Sequence, residues 1–557
     1  MNGARSARGE AERAYAAYHE APRSPSTTLA WNVYGKGIEN VGREGRPESV
    51  PVGTPGADQL LVRVDAVGLC FSDVKLIRQG GEHPKLYGRD LARDPTRLGH
   101  ETAVTVVAVG EHLAPRFKPG DRLAIQPDIY VDGRSTAYGY TIPGGLIGYH
   151  LIGPEVLAAD DGAYVIPVPE GMGYVEAALT EPWATVEGAY AQRRRVRPAP
   201  GGRALVITRA GDDRRYDLGD ALAKARDVTR AVDDVPPGEF DDIVMLGPRS
   251  AALVSRAADA LAFRGVLNLV GDAPLDGAVD IDVGRLHYHY TAYVGTTMAD
   301  VAAAYGETRN RAELRRDGVM LVIGAAGPMG QMHLERALRM REGPRVSIGA
   351  DIAADRLAQA RERLEPVARE TGRRLLMTSS ADVASVVSDE SGGRGADDVI
   401  VTAPTAAAVA SADELLAPDG MLVMFAGLPV GTRAKMQLSR VYLYGAQYTG
   451  TSGSRIVDQE LVVQKTARGE LAPGRSVAAV GGIDAVPDGL RALMEARFPG
   501  KIVILPQLRG LPLTSLEDLA GREPDVGAAL GPGGTWTTEA EAALFARHLE
   551  SAALSRS

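Results

Sequence analysis

The clearest chemistry in the chain is one thiol, one imidazole and four acidic or hydroxylic residues in a fixed order. Gly68-Leu69-Cys70-Phe71-Ser72-Asp73 is followed by Gly99-His100-Glu101 and, much later, by Glu181-Pro182. A thiolate, an imidazole and carboxylates are the donors zinc prefers. A catalytic zinc takes three protein donors and keeps one position for water or substrate. Taken singly, Cys70 also reads as a small buried apolar residue and His100 as a satisfied loop histidine. Cys70 is the only cysteine, which excludes an intrachain disulfide and a zinc site built from several thiolates. One thiol fits a reducing cytoplasm.

A second constellation is Val322-Ile323-Gly324-Ala325-Ala326-Gly327-Pro328-Met329-Gly330, a glycine turn between an apolar run and a helical segment (Gln331–Arg339). Glycines let the backbone approach a pyrophosphate, and the helix start offers unpaired N–H groups. With Gly327 and Gly330 as the second and third glycines of G-x-G-x-x-G, Ala325 stands at the first. Asp351 follows Gly330 by 21 residues, at the end of the next expected strand. A carboxylate there accepts from ribose hydroxyls and repels a 2′-phosphate, which favours NAD over NADP. An earlier turn, Arg209-Ala210-Gly211-Asp212-Asp213-Arg214, puts two carboxylates where a pyrophosphate would sit. It reads as non-binding.

The elements that must position these residues fall into two grammars. Leu60–Ala66 alternates with period two, and Thr102–Val109 and Arg122–Gln126 are strand-like around the Lys118-Pro119-Gly120-Asp121 turn. Short strands and turns continue to about residue 168, so the region reads as an all-β unit, with the Leu60–Ala66 strand buried more on one face. From about residue 200 short apolar runs alternate with helical segments: Ala204–Thr208, a helix over Leu218–Ala225, Asp242–Leu246, Val266–Val270, then a restart at Val319–Ile323 that runs to about Gly450. Strand–helix alternation predicts a parallel sheet covered by helices.

This half repeats itself. Asp241-Asp242-Ile243-Val244 matches Asp397-Asp398-Val399-Ile400 at an offset of 156, as do Pro248 with Pro404 and Ser255 with Ser411. Tyr293-Val294-Gly295-Thr296 matches Tyr448-Thr449-Gly450-Thr451 at 155. Gly211 to Asp241 is 30 residues but Gly327 to Asp397 is 70, so the first copy lacks about 40, roughly one βαβ unit.

At 557 residues the chain is long enough for three or four domains. Apolar residues are 45% and charged residues 24%, as in soluble globular proteins, and the 5% aromatic content predicts an aliphatic core. A net charge of −9 argues against a nucleic-acid or anionic-membrane surface. No apolar run reaches the roughly 18 residues of a membrane span, and the arginine-bearing start has no apolar signal core. Residues 1–28 read as a flexible leader with a short helix (Glu10–Tyr18). The end carries a helix over Glu539–Leu549, capped by Thr537 or Thr538.

Cys70-x-Ser72-Asp73, Gly99-His100-Glu101, the turn at 118–121, Glu181-Pro182 and the glycine turn at 324–330 stand in the order of the zinc-dependent medium-chain dehydrogenase/reductases, which the sequence resembles over about 30–200 and 317–510. Phe117–Arg122, Ala137-Tyr138-Gly139-Tyr140 and Gly481–Pro487 look most like the sorbitol dehydrogenase branch, especially its L-sorbose-1-phosphate reductase-like members. The resemblance implies a GroES-like β domain (29–200, returning at 456–511) joined to an NAD-binding Rossmann domain (317–455). A degenerate Rossmann-like insert (201–316) lies between them, and a C-terminal extension (512–557) follows. It implies one catalytic zinc on Cys70 and His100, with Glu101 and Glu181 sharing the remaining role, one direct and one through water. Ser72 would pass a substrate proton toward solvent. Asp351 and Arg356 would hold the adenosine end of NAD, with Gly324, Gly327, Pro328, Met329 and Gly330 at the pyrophosphate. Gly427, Gly450 and Thr451 would lie near the nicotinamide. Two departures stand out: a four-cysteine structural zinc lobe is excluded, and Lys75 replaces a relay histidine that some members carry. The implied activity is hydride transfer to or from a polyol, sugar, sugar phosphate or cyclitol in a cytoplasmic dimer or tetramer, at a cleft between the β and Rossmann domains. A redox-neutral epimerase with retained NAD and a non-catalytic scaffold are the alternatives. His83, Lys85 and Arg89 form a basic stretch within reach of a substrate phosphate, or a solvated loop.

Overall fold

Ten consecutive buried residues, Leu60–Leu69, form β1, the spine of the first of two units. The computed structural model describes residues 13–20 and 24–554. The units are 1–185 with 453–557, and 186–452. Period two had predicted one face of β1 more exposed, yet Arg63 and Asp65 are as buried as their neighbours. They satisfy each other: Arg63 Nε donates to Asp65 Oδ1 at 2.5 Å, and Tyr18 and Thr105 hydroxyls donate to the same carboxylate. Helix α1 (Phe71–Gln79) follows β1 directly. Then come β2 (Glu101–Val109), β3 (Arg122–Ile125), β4 (Tyr149–Ile152), β5 (Val165–Pro167) and helix α2 (Tyr174–Gly188). β1 pairs antiparallel with β2 and β4, β2 with β3, and β3 with β5.

Of the expected leader helix over Glu10–Tyr18, residues 10–12 lie outside the described residues; 13–19 is helical. This stretch, expected to be flexible, is tied into the first unit. Tyr15 is buried and donates to Glu541, and the Tyr18 ring lies 3.6 Å from the Arg63 guanidinium.

The second unit is built twice. The first copy holds β6 (Arg203–Thr208), β7 (Asp227–Val232), β8 (Phe240–Leu246), α3 (Ala251–Asp259), β9 (Leu261–Val270), β10 (Val279–Asp282), α4 (Val283–Tyr288) and β11 (Ala292–Thr296). Its parallel sheet runs β7-β6-β8-β9-β11. The second copy opens with β12 (Val319–Ile323), α5 (Pro328–Arg339), β13 (Val346–Asp351), α6 (Ala354–Thr371), β14 (Arg374–Ser379) and α7 (Val383–Ser391). It continues with β15 (Ala396–Val401), α8 (Ala406–Leu415), β16 (Leu416–Met424), β17 (Arg433–Met436), α9 (Ser439–Leu443) and β18 (Gln447–Gly450). Its parallel sheet runs β14-β13-β12-β15-β16-β18.

The two copies are entered by the same device. Arg195 and Ala199 bind the Asp242 carboxylate as Arg311 and Arg315 bind Asp398, and the backbone N–H groups of Arg203 and Val319 donate to Asp241 and Asp397. The offset is 116 in the arginine segment and 156 at the aspartates, so 40 residues are missing between them in the first copy. The helix expected over Leu218–Ala225 belongs to that shortened stretch. It is a run of turns, because the backbone at its start bonds elsewhere: Asp217 N–H donates to the Ala299 carbonyl and the Asp217 carbonyl accepts from Val301 N–H.

The chain then returns to the first unit through α10 (Ile456–Ala467), β19 (Val477–Gly482), α11 (Val486–Met494), β20 (Lys501–Leu505), β21 (Thr514–Ser515) and α12 (Thr538–Leu554). The completed sheet runs β5-β3-β2-β1-β20-β19-β21. Thr537 caps α12 through Ala540 N–H. Glu541, on α12, accepts from Tyr174 and Val175 N–H at 2.7 and 2.9 Å and so caps α2 from a distant part of the sequence. No described helix is long and apolar enough to cross a membrane.

Glu176 sits beside this cap, largely buried. Burial pushes its carboxyl up from 4.5 to about 7, and the Glu541 charge adds to the rise. A raised folded value means the native state holds the proton more tightly. The stability this adds is present below the unfolded value and lost as pH rises through about 7. Glu176→Gln is expected to exceed wild type in stability at pH 8 by about 1–2 kcal/mol and to match it at pH 5, read by denaturant unfolding at both pH values. A constant difference would rule out the ionisation as its cause.

Candidate functional site

Sheet register assembles the first cluster. Gly68 on β1 lies opposite Glu101 on β2, and Leu69 lies opposite Ile502 on β20. The residues just past these pairs, Cys70, His100 and Lys501, are thereby brought to one end of the sheet. A Cβ at Gly68 would fall 2.0 Å from Glu101 Oε2, so the missing side chain is the room the carboxylate occupies. One ligand atom each of Cys70, His100 and Glu101 lies within 4.8 Å of the others.

Asp73 holds two of the three segments together. One oxygen accepts from Cys70 N–H at 2.9 Å, and the other accepts from Gly99 N–H and faces His100 Nδ1 at 3.5 Å. Burial opposes a charged His100 imidazole, but Asp73 and the Cys70 sulfur outweigh it and hold the imidazole well above its ordinary value. Glu101 is wholly buried, and its Oε1 accepts from Lys501 Nζ at 2.5 Å. Burial would lower the Lys501 ammonium, but Glu101 overrides it and raises it. Glu101 Oε2 and His100 Nδ1 are buried without a hydrogen-bond partner. An orphaned carboxylate oxygen beside a thiol and an imidazole fits a divalent cation.

Glu181, on α2, is buried near the same charges but is not in the tight cluster. Burial pushes it up to about 7. Glu101 and Asp128 add to the rise, and His100 and Lys501 pull against it. Ser72 Oγ lies 3.7 Å from Cys70 Sγ. Lys75, one turn along α1, is half-buried. Its charge and that of Lys85 help burial hold His83 neutral, down to about 4.

The basic stretch is engaged rather than open. Lys85 Nζ donates to Asp128 at 3.1 Å and lies 4.8 Å from the Tyr140 ring centroid, while Arg89 is tied to Asp94 and the Thr141 carbonyl. The Tyr140 ring is 5.9 Å from His100. Sequence reasoning missed Tyr140 and Asp128 as neighbours of the cluster, and missed Lys501 and Gly68 outright. A lysine heading the apolar run 502–505 was the one available signal for Lys501.

The second constellation lies at the carboxyl ends of the second copy's strands, where open parallel sheets bind ligands. Gly324 has φ +88°, which an L side chain rarely adopts, and turns the chain from β12 toward α5. Gly327 precedes α5, with Pro328, Met329 and Gly330 in its first turn. Asp351 ends β13 and accepts from Ala326 N–H at 3.0 Å, tying the strand end to the turn. Arg356 on α6 reaches to within 3.9 Å of a Cβ built on Gly327. Beside Asp351 a cavity of about 210 Å³ is lined by Ile352, Leu357, Arg361 and Ser379, and Ile352 is 90% exposed. Gly427 follows β16; Gly450 and Thr451 end and follow β18.

The first copy has no such site. No helix follows β6, and Asp212 folds back to pair with Arg209 and the Tyr216 hydroxyl. Its carboxylate would clash with a Cβ on Gly247, 1.9 Å away.

Residues 56–177 match the alcohol dehydrogenase GroES-like domain. The chain is 25% identical over 525 residues to L-sorbose 1-phosphate reductase of Klebsiella pneumoniae, covering 93% of this chain and 98% of the relative. It is 25% identical over 505 residues to mannitol-1-phosphate 5-dehydrogenase of Aliivibrio fischeri, covering 88% and 92%. Its fold is similar to the crystal structure of an alcohol dehydrogenase from Thermotoga maritima, with TM-score 0.54, 15% identity, and 86% and 100% of the two chains covered. The chain is an alcohol dehydrogenase-type enzyme, with a GroES-like domain and Rossmann-like parallel sheets.

Lys501→Met strands a buried carboxylate, which costs about 3–5 kcal/mol. In chelator-treated protein that loss is the expected result in urea unfolding. The double variant Glu101→Gln/Lys501→Met should recover most of it. Equal stability of single and double variants would mean that the ion pair does not govern the site.

Proposed function

We propose that this alcohol dehydrogenase-type chain is a zinc- and NAD(H)-dependent oxidoreductase. It moves a hydride between nicotinamide and a secondary alcohol or ketone of a polyol, sugar, sugar phosphate or cyclitol. The observation that carries the reading is the trio of half-buried Cys70 with buried His100 and Glu101, one donor atom of each within 4.8 Å of the others and Glu101 Oε2 orphaned. Cys70, His100 and Glu101 are the direct ligand set, and Glu181 is the second carboxylate, acting through water. Bound there, one zinc supplies a Lewis acid for the substrate oxygen, and the nicotinamide supplies the hydride carrier.

The chain's own residues do the rest. Asp73 accepts from the Cys70 and Gly99 N–H groups and so fixes the two segments that carry the thiol and the imidazole. Lys501 occupies Oε1 of Glu101, leaving Oε2 for the cation. Ser72 would take the proton that the substrate hydroxyl gives up on oxidation while handing on its own, and Lys75 would carry that proton toward solvent. Asp351 takes the ribose hydroxyls and selects NAD, and Arg356 holds the adenosine end with it. Gly427, Gly450 and Thr451 border the nicotinamide.

The relatives' names, a sugar-phosphate reductase and a polyol-phosphate dehydrogenase, support a polyhydroxylated substrate. His83, Lys85 and Arg89 add no free cation for a phosphate, because each is held neutral or paired. A reducing cytoplasm is the compartment that suits an unpaired Cys70.

Cys70→Ala is expected to lower bound zinc from about one per chain to under a tenth, and to lower kcat/KM for a polyol by at least about a thousandfold. Plasma emission on wild type and variant, beside an NAD-linked polyol and cyclitol screen, tests this. Zinc retained by the variant would defeat the reading. Asp351→Ala should cut the preference for NAD over NADP by about tenfold or more, measured as the ratio of kcat/KM values for the two cofactors.

A further inference from the structure

The two copies in the second unit meet through matching surfaces. β10 of the first pairs antiparallel with β17 of the second, Asp280 opposite Lys435 and Ile281 opposite Ala434. Edge strand β11 lies against edge strand β18, α9 packs on β11, and α4 packs on β18. These are equivalent elements: α4 and α9 both start at the 156 offset, and β11 and β18 are the repeated Tyr-x-Gly-Thr strands.

The contact is reciprocal in its atoms. A Cβ on Gly295 would meet the Tyr442 Cβ at 2.6 Å, and a Cβ on Gly450 would meet the Leu286 carbonyl carbon at 2.8 Å. Gly295 and Gly450 are repeat mates, and so are Leu286 and Tyr442, 156 apart. Asp282 at the start of α4 accepts from Gly431 N–H, and Ser439 at the start of α9 accepts from Leu275 N–H; Leu275 and Gly431 are again 156 apart. One apolar core runs through both copies, from Leu205 and Leu269 to Leu321 and Tyr448.

Contact of residue i with j′ and of j with i′ is the signature of a two-fold interface between like subunits. We infer that the first copy is an internal partner subunit, occupying within one chain the two-fold face on which the second copy would otherwise dock a second chain. The occupant of the β18 edge is therefore residues 275–296 of the same molecule. The chain is a pseudo-dimer with one dinucleotide-type turn, and its solution form is a single chain. This replaces the dimer or tetramer that family resemblance implies.

The test is a disulfide across the pseudo-two-fold. Asp280 and Lys435 are exposed antiparallel partners, and such partners lie within disulfide reach. Wild type has one thiol, so D280C/K435C has three. The expected result on mild oxidation is a fall from three thiols to one, with a band at single-chain mass on a non-reducing gel. Wild type should show a light-scattering mass of 58.7 kDa across concentrations. A disulfide-linked two-chain band, three thiols persisting in a variant that keeps wild-type Tm, or a two-chain mass for wild type would each overturn the inference. Neither position touches the zinc or dinucleotide residues, so the outcome is independent of the proposed activity.

Discussion

The first unit is organised around the need to neutralise Glu101. A carboxylate with no exposed surface is costly unless opposed by positive charge. Lys501 supplies one such charge, from a residue 400 positions away. That ion pair requires β20 to lie beside β1, so the chain must leave the first unit, build the whole second unit and return before the site exists. The register that satisfies Glu101 also brings Cys70 and His100 alongside it, and Gly68 leaves the volume the carboxylate fills. Asp73 then locks the backbones that carry the thiol and the imidazole. With one oxygen on Lys501, the other is left orphaned beside the thiol and the imidazole, where a divalent cation would satisfy it.

The terminal segments serve the same end from the outside. Helix α2 carries Glu181, and its first N–H groups are capped by Glu541 of the C-terminal helix rather than by a local residue. Tyr15 of the leader donates to that carboxylate, and Tyr18 donates to Asp65 beneath it. Leader, C-terminal helix and β1 therefore share one buried polar network. Each member satisfies groups that would otherwise be orphaned, which makes such networks rigid when complete.

Patterns that are local in sequence were legible, and constraints that are distant were not. The Gly324–Gly330 turn, the strand before it and Asp351 after it are one contiguous βαβ unit, and all stand where their spacing puts them. The 40-residue deficit was readable from two intervals, because deletion leaves the flanking offsets intact. β1 misled, since alternation of Leu and Val with Arg63 and Asp65 is the pattern of a half-exposed strand. Nothing nearby in sequence says that Tyr18, Thr105 and Tyr174 cover the polar face. The Leu218–Ala225 segment has helical composition, but backbone bonds from Asp217 to Ala299 and Val301 override propensity. Lys501 was invisible because its meaning lies in a partner 400 residues away.

The two copies diverged along a boundary that physics makes intelligible. The first copy lost the helix after the glycine turn and the outer strand equivalent to β14 with its coverings; β7 still leads to a carboxylate, Asp233, which accepts from Ala210 N–H as Asp351 accepts from Ala326 N–H. Losing those helices uncovered β7, which is now largely solvent-facing, with Val232 60% exposed. An exposed apolar strand face is a liability, and Asp227, Thr229 and Arg230 dilute it. The elements that meet the second copy, β10, α4 and β11, were kept in full. Gly295 still lacks the side chain that Tyr442 would exclude, just as Gly450 lacks the one that Leu286 would exclude. Binding residues are dispensable once a second copy binds. Interface residues are not, because removing them would expose the β18 edge and open the apolar core that both copies share. Retention of the contact surface alongside loss of the nucleotide turn is the pattern expected of a domain held by its partner and not by a ligand.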